Sequence, residues 1–137
     1  MYYLVLLLGS VWVYDIAAYL IGSLWGREQL LPEVSGKKTW EGVLGGTLGV
    51  YAFNASAQFW IPDPNFTWGL EWLLLPLFLT VATQLGDLFE SWIKRIAHVK
   101  DTGELLPGHG GVLDRIDGLL FAAPVFYFYL REALKLF

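Results

Sequence analysis

Asp87, Glu90, Ser91 and Lys94 stand at i, i+3, i+4 and i+7, a spacing that puts all four on one face of a helix. Arg95 follows, then Lys100-Asp101, then Pro107-Gly108-His109-Gly110-Gly111, and finally Asp114-Arg115-Ile116-Asp117. Carboxylates, cations and a glycine-rich turn, flanked on both sides by strongly apolar sequence, have a limited set of uses. The most economical is a metal-assisted site for phosphates at a membrane surface.

The carboxylates come first. Asp15, Asp87, Asp114 and Asp117 lie in or at the edges of hydrophobic segments. A charge at membrane depth costs ~2.5–3.5 kcal/mol on insertion scales, so such residues usually face a polar cavity or a partner. One reading has Asp87, Asp114 and Asp117 converge on a divalent cation. Oxygen ligands without a His or Cys cluster suit Mg²⁺, which keeps several waters and bridges to substrate phosphates. The other reading has them cap helices or pair with Lys94 and Arg115, and spacing alone leaves both open.

Lys94, Arg95, Lys100 and Arg115 surround the same region, and Lys37-Lys38-Thr39 supplies a second cluster. Arg grips phosphate through a planar fork and Lys as a point charge. The plainer alternative is positive loop charge facing lipid headgroups. The glycines around His109 would let main-chain N–H groups approach an anion at the start of a helix. His109 itself is either a phosphate contact or acid, or a structural loop residue. Ser35-Gly36-Lys37-Lys38-Thr39-Trp40-Glu41-Gly42 has similar logic, but it lacks Walker A spacing. The Gly45-Gly46 and Gly49 positions that follow read as close packing between membrane helices.

The elements that must position these residues follow from composition. Of 137 residues, 55% are hydrophobic and 16% charged, against about 25% charged in ordinary soluble domains. No cysteine is present, which excludes disulfides, thiol catalysis and Cys-ligated zinc. Apolar runs at roughly 2–24, 42–61, 69–89 and 112–131 each approach the ~20 residues that span a bilayer core. The first lacks a basic leader and a small-residue cleavage site, so it reads as a retained helix rather than a signal peptide. The third is expected to continue past Gly86 and carry its polar stripe into the interface.

The expected fold is therefore an all-α polytopic membrane protein with about four transmembrane helices and cytoplasmic polar loops. Residues 1–137 form one membrane-embedded domain in this reading, with no repeat or linker. Six of the nine Lys and Arg residues fall in the first and third connections. The positive-inside rule then places those loops in the cytoplasm and both termini outside.

The ordered pattern Ser91-x-Ile93-Lys94-Arg95, Lys100-Asp101-x-Gly103, Pro107-x-His109-Gly110-Gly111-x-x-Asp114-Arg115-Ile116-Asp117 resembles the signature of the CDP-diacylglycerol synthases, or phosphatidate cytidylyltransferases. Asp15-x-x-Ala18-Tyr19-x-x-Gly22-x-x-x-Gly26-Arg27 and Ser35-x-Lys37-Lys38-Thr39-Trp40-Glu41-Gly42 resemble the same family. The family usually has Ser-Pro where this chain has Ser35-Gly36. Typical members carry a further N-terminal helical bundle, so the chain is expected to correspond to their carboxy-terminal half.

The resemblance implies a reaction of CTP with phosphatidic acid, giving CDP-diacylglycerol and pyrophosphate in phospholipid biosynthesis with Mg²⁺ required. It implies metal bound by Asp87 and Asp114 with Asp117 in support, and phosphates held by Lys94, Arg95, Arg115 and Lys38. Ser35, Lys37, Thr39, Ser91, Lys100, His109, Gly110 and Gly111 complete the implied substrate-binding set. A K⁺ ion beside Mg²⁺, a homodimer and a bacterial inner-membrane location are likewise implied, and no nucleic acid is expected as a partner. A related CTP-dependent polyprenol or phytol kinase shares several of these elements. A non-catalytic membrane homologue is the rival from another class. A transporter fits less well, since its charges should lie near mid-bilayer.

Overall fold

The computed structural model describes residues 1–63, 69–100, 113–132 and 135; for Asp114 and Arg115 it describes the backbone alone. Helix α1 spans Tyr2–Trp25, α2 Trp40–Ser56, α3 Leu70–Ile96 and α4 Leu113–Glu132. Between α1 and α2 the chain forms a two-stranded antiparallel hairpin of β1 (Gln29–Leu31) and β2 (Ser35–Thr39), with Gln29 opposite Thr39 and Leu31 opposite Ser35. The expectation of a plain polar loop over 25–41 is thus corrected. Strand pairing satisfies backbone groups that a loop would have left to water.

Local chemistry explains the boundaries. α1 ends at Gly26, whose N–H closes the last turn on Gly22 O before the backbone turns extended. Thr39 caps α2 by accepting the Gly42 N–H on its hydroxyl at 3.1 Å, the usual service of an N-cap threonine. α3 carries Lys94 and Arg95 in its last turn, where cations complement the helix dipole. It stops two residues before His98, which adopts a left-handed φ of 54°.

α1 packs on α2 and α3 on α4. The α1–α2 seam is built on small residues, as the sequence suggested. A Cβ at Gly45 would strike Ile21, one at Gly46 the Tyr14 ring, and one at Gly49 the Ala17 methyl. Near the hairpin Gly22 and Gly42 let the two backbones meet. A buried polar bond, Asn54 Nδ2 to Ser10 Oγ at 2.9 Å, crosses the same seam.

The apolar core gathers at the opposite end of the bundle. Leu6 and Val11 from α1 meet Ala57 and Ile61, Trp72, Leu75 and Leu79 from α3, and Phe126 and Leu130 from α4. Tyr3 donates to Asp63 Oδ2 at 2.5 Å, and Tyr129 donates to the Glu71 carbonyl, at this same end. Apolar burial therefore fixes one end and frees the other for polar work.

Among the described residues two helices, Tyr2–Trp25 and Leu70–Ile96, are long and apolar enough to cross a membrane. α1 leaves Leu4, Trp12, Ile16, Leu20 and Leu24 exposed, a surface that lipid covers at lower cost than water. The protein is mostly helical and suited to a membrane.

Candidate functional site

A cavity of about 540 Å³ opens at the hairpin end. Its described walls come from four elements. α1 supplies Tyr14, Asp15, Ala18 and Tyr19; β2 supplies Ser35, Lys37, Lys38 and Thr39; α3 supplies Gln84 and Asp87. Gly42 and Val43 at the start of α2 close the remaining side. The hairpin thus delivers its polar residues over a mostly apolar chamber.

Lys38 Nζ lies 3.5 Å from Asp87 Oδ2, joining β2 to α3. On the other side of Asp87 stands α4. Gly118 makes room for it, because a Cβ there would lie 3.0 Å from Asp87 Oδ1. Gly86 faces the Asp117 main chain as closely, so this pair of glycines lets α3 and α4 touch at the level of the two carboxylates. Asp117 consequently lies beside Asp87 and near Glu90, close enough for the three carboxyls to influence one another. Its Oδ1 also accepts the Gly118 N–H at 2.7 Å.

The structure brings together Asp87, Asp117, Lys38, Lys37, Ser35 and Thr39 from the residues singled out in the sequence. Thr39 is shared, since its hydroxyl caps α2 while its side chain also lines the cavity. Three others are placed differently. Lys94 pairs with Glu90 at 2.9 Å, with the Glu90 side chain almost fully buried. Arg95 donates from Nε to the Val34 carbonyl at 3.3 Å, holding the hairpin turn to the end of α3. Lys100 is exposed beyond that helix. Neither these three nor Ser91 is among the described residues lining the cavity.

Asp114 lies one turn before Asp117 on α4, with Arg115 between; their side chains, and His109, Gly110 and Gly111, lie outside the described residues. Among the described residues no three His, Cys, Asp or Glu side chains form a metal-holding group. The paired oxygens of Asp87 and Asp117 nonetheless fit a magnesium ion, which characteristically takes one or two carboxylates and completes its shell with water and substrate phosphate.

Asp15, Gln84 and Tyr14 line the cavity but were not singled out as site residues from the sequence. Asp15 is charged inside a long apolar run, and that alone marked it as unusual. Gln84 and its partner Tyr14, whose hydroxyl donates to Gln84 Oε1 at 2.6 Å, gave no local signal because they lie on different helices. Outside the spanning segments, Glu41 accepts the Glu28 N–H at 3.4 Å. Main-chain N–H groups, its own first and then that of Arg27, hold its carboxyl below the usual carboxylate range.

Helices suited to a membrane, with lysines and carboxylates meeting at one end over an apolar chamber, define a class: helical proteins suited to a membrane, with a polar site at one end of the bundle. The chain belongs to the cytidylyltransferase family, whose pattern it matches over residues 1–133. It is 44% identical over 126 residues to the phosphatidate cytidylyltransferase of Brucella suis biovar 1 (strain 1330), covering 92% of this chain and 46% of that protein. It is 45% identical over 129 residues to the phosphatidate cytidylyltransferase of Thermotoga maritima, covering 92% of this chain and 48% of the relative. For the protein of that name in Bacillus subtilis (strain 168) the identity is 45% over 124 residues, covering 88% and 44%. The chain spans about half the length of the curated relatives it matches.

Proposed function

We propose that the protein transfers the cytidylyl group of CTP to the phosphate of phosphatidic acid, giving CDP-diacylglycerol and pyrophosphate. The observation that carries this is the ion pair of Lys38 with Asp87 in the wall of a mostly apolar cavity, with Asp117 beside Asp87, in a chain of the cytidylyltransferase family.

The chemistry demands little covalent participation. A phosphate oxygen of the lipid attacks the α-phosphorus of CTP, the new P–O bond forms, and the bond to the β-phosphate oxygen breaks with pyrophosphate leaving. The lipid phosphate is itself the nucleophile, which is why no Ser or Cys is needed. The burden on the protein is positioning and charge neutralisation.

Lys37 and Lys38 sit on a hairpin tied to α3 by the Lys38–Asp87 pair and by Arg95 on Val34. They serve as the point charges that receive triphosphate oxygens. Lys94 neutralises Glu90, which keeps excess negative charge off the Asp87–Asp117 pair. Asp87 and Asp117, with Asp114 on the same helix, would hold Mg²⁺. When bound, that ion supplies charge neutralisation to the triphosphate and to the departing pyrophosphate. A K⁺ ion beside it, a homodimer, a four-span single domain and a cytoplasm-facing site in a bacterial inner membrane complete the proposal.

Membranes holding the protein, given CTP, phosphatidate and Mg²⁺, should release pyrophosphate only when phosphatidate is present. Chelation with EDTA should stop the release, and excess Mg²⁺ should restore it. Pyrophosphate release that ignores the lipid would contradict the proposal.

A further inference from the structure

We infer that Gln84, held by Tyr14, recognises an ester carbonyl of the diacylglycerol portion of the lipid substrate. The inference rests on the lipid-phosphate reading above and names a specificity determinant within it.

Tyr14 is 1% exposed, and its hydroxyl donates to Gln84 Oε1 at 2.6 Å. That bond orients the carboxamide and leaves its Nε2 as the free end. Nε2 is shielded from solvent and has no hydrogen-bond partner among the described residues. A donor buried without a partner in a low-dielectric interior is costly, which is a reason to expect an acceptor from outside the described chain. Gln84 lines the same cavity as Asp87, Lys38 and Asp15. The amide plane turns about a soft terminal torsion, so a small rotation presents the N–H to the cavity while Tyr14 keeps the oxygen.

The position along α3 selects the ligand group. Lys94 and Arg95 mark the polar end of the helix, so Gln84 lies three residues further from that end than Asp87. At about 1.5 Å per residue this is ~4.5 Å deeper. A lipid whose phosphate sits beside the triphosphate at the level of Lys38 and Asp87 brings its glycerol backbone to that depth. The groups there are ester carbonyls, which accept hydrogen bonds and donate none. The surrounding walls, Tyr14, Ala18 and Val43, are apolar enough for the start of the acyl chains.

The test needs binding rather than turnover. The protein in detergent micelles, without CTP, is titrated with a fluorescent phosphatidate that is then displaced by ester-linked phosphatidate or by its ether-linked counterpart. The ether lipid keeps the phosphate and the chains but lacks both carbonyls. Wild type should bind the ester lipid about 3- to 10-fold more tightly, the range a single net hydrogen bond gives. Gln84→Leu and Gln84→Glu should each bind both lipids at the ether level, with CTP affinity unchanged. Tyr14→Phe should reduce the preference without abolishing binding.

Equal binding of the two lipids by wild type would overturn the inference without touching the cytidylyltransferase reading, and that comparison requires no variant to fold. An ester preference that survives in both Gln84 variants would overturn it too, as would a Gln84 variant that loses CTP affinity instead. Failure of both lipids to displace the probe would overturn the phosphatidate reading and the Gln84 assignment together.

Discussion

Lys38 Nζ reaches to 3.5 Å from Asp87 Oδ2, so the hairpin between the first two helices is anchored on the helix that carries the acidic centre. The pair places a cation beside the carboxylate whose charge must be balanced whether or not a nucleotide is bound. Lys38 is therefore positioned to exchange a carboxylate oxygen for a phosphate oxygen with little movement.

Replacing Lys38 by Ala should raise the CTP concentration needed for half-maximal turnover by about 10- to 100-fold, the range for a charge-assisted hydrogen bond. Initial rates against CTP concentration measure it, and an unchanged dependence would remove the hairpin from the nucleotide site.

Asp87→Asn preserves shape and removes charge. Turnover should fall by roughly 10²–10³-fold, as for loss of one electrostatic stabiliser, while helix content by circular dichroism stays at the wild-type level. Turnover within a few-fold of wild type would exclude Asp87 as a cation ligand.

Gly46 packs directly under the Tyr14 ring. Gly46→Leu forces the ring or the helix aside, an overpacking cost of about 1–3 kcal/mol. Thermal unfolding in detergent should show the loss, and an unshifted midpoint would mean that the α1–α2 seam is looser than described.

The hairpin offers the opposite case. A Cβ at Gly36 would meet nothing within 4 Å, and its φ does not lie in the left-handed region. Gly36→Ala should accordingly stabilise by about 0.4–1 kcal/mol through the unfolded chain. A lower unfolding midpoint would contradict the placement of that turn.

Much of this was legible in the sequence because membrane helices are written in composition. The four apolar runs correspond to α1 through α4, of which α1 and α3 are, among the described residues, long and apolar enough to cross a membrane, and the polar stripe beyond Gly86 does continue as helix to Ile96. The hairpin was not legible, since Gln29-Leu30-Leu31 and Ser35–Thr39 are short and carry no alternating apolar pattern that would mark a strand. The roles of the cations were harder still. Lys94 and Arg95 look like phosphate ligands by type, yet one is taken by Glu90 and the other by the Val34 carbonyl. Such pairings depend on where helices cross. The glycines that set the crossing at Asp87 and Asp117, Gly86 and Gly118, are ordinary residues until their neighbours are known.

The most direct test of the account uses CTP labelled on the α-phosphate in one sample and on the γ-phosphate in another, incubated with phosphatidate, Mg²⁺ and membranes holding the protein. Cytidylyl transfer predicts α-label in the lipid and γ-label in pyrophosphate. Gamma-label in the lipid with release of CDP would instead show a CTP-dependent lipid kinase, and label in neither position would show a protein that keeps the family's fold without its reaction.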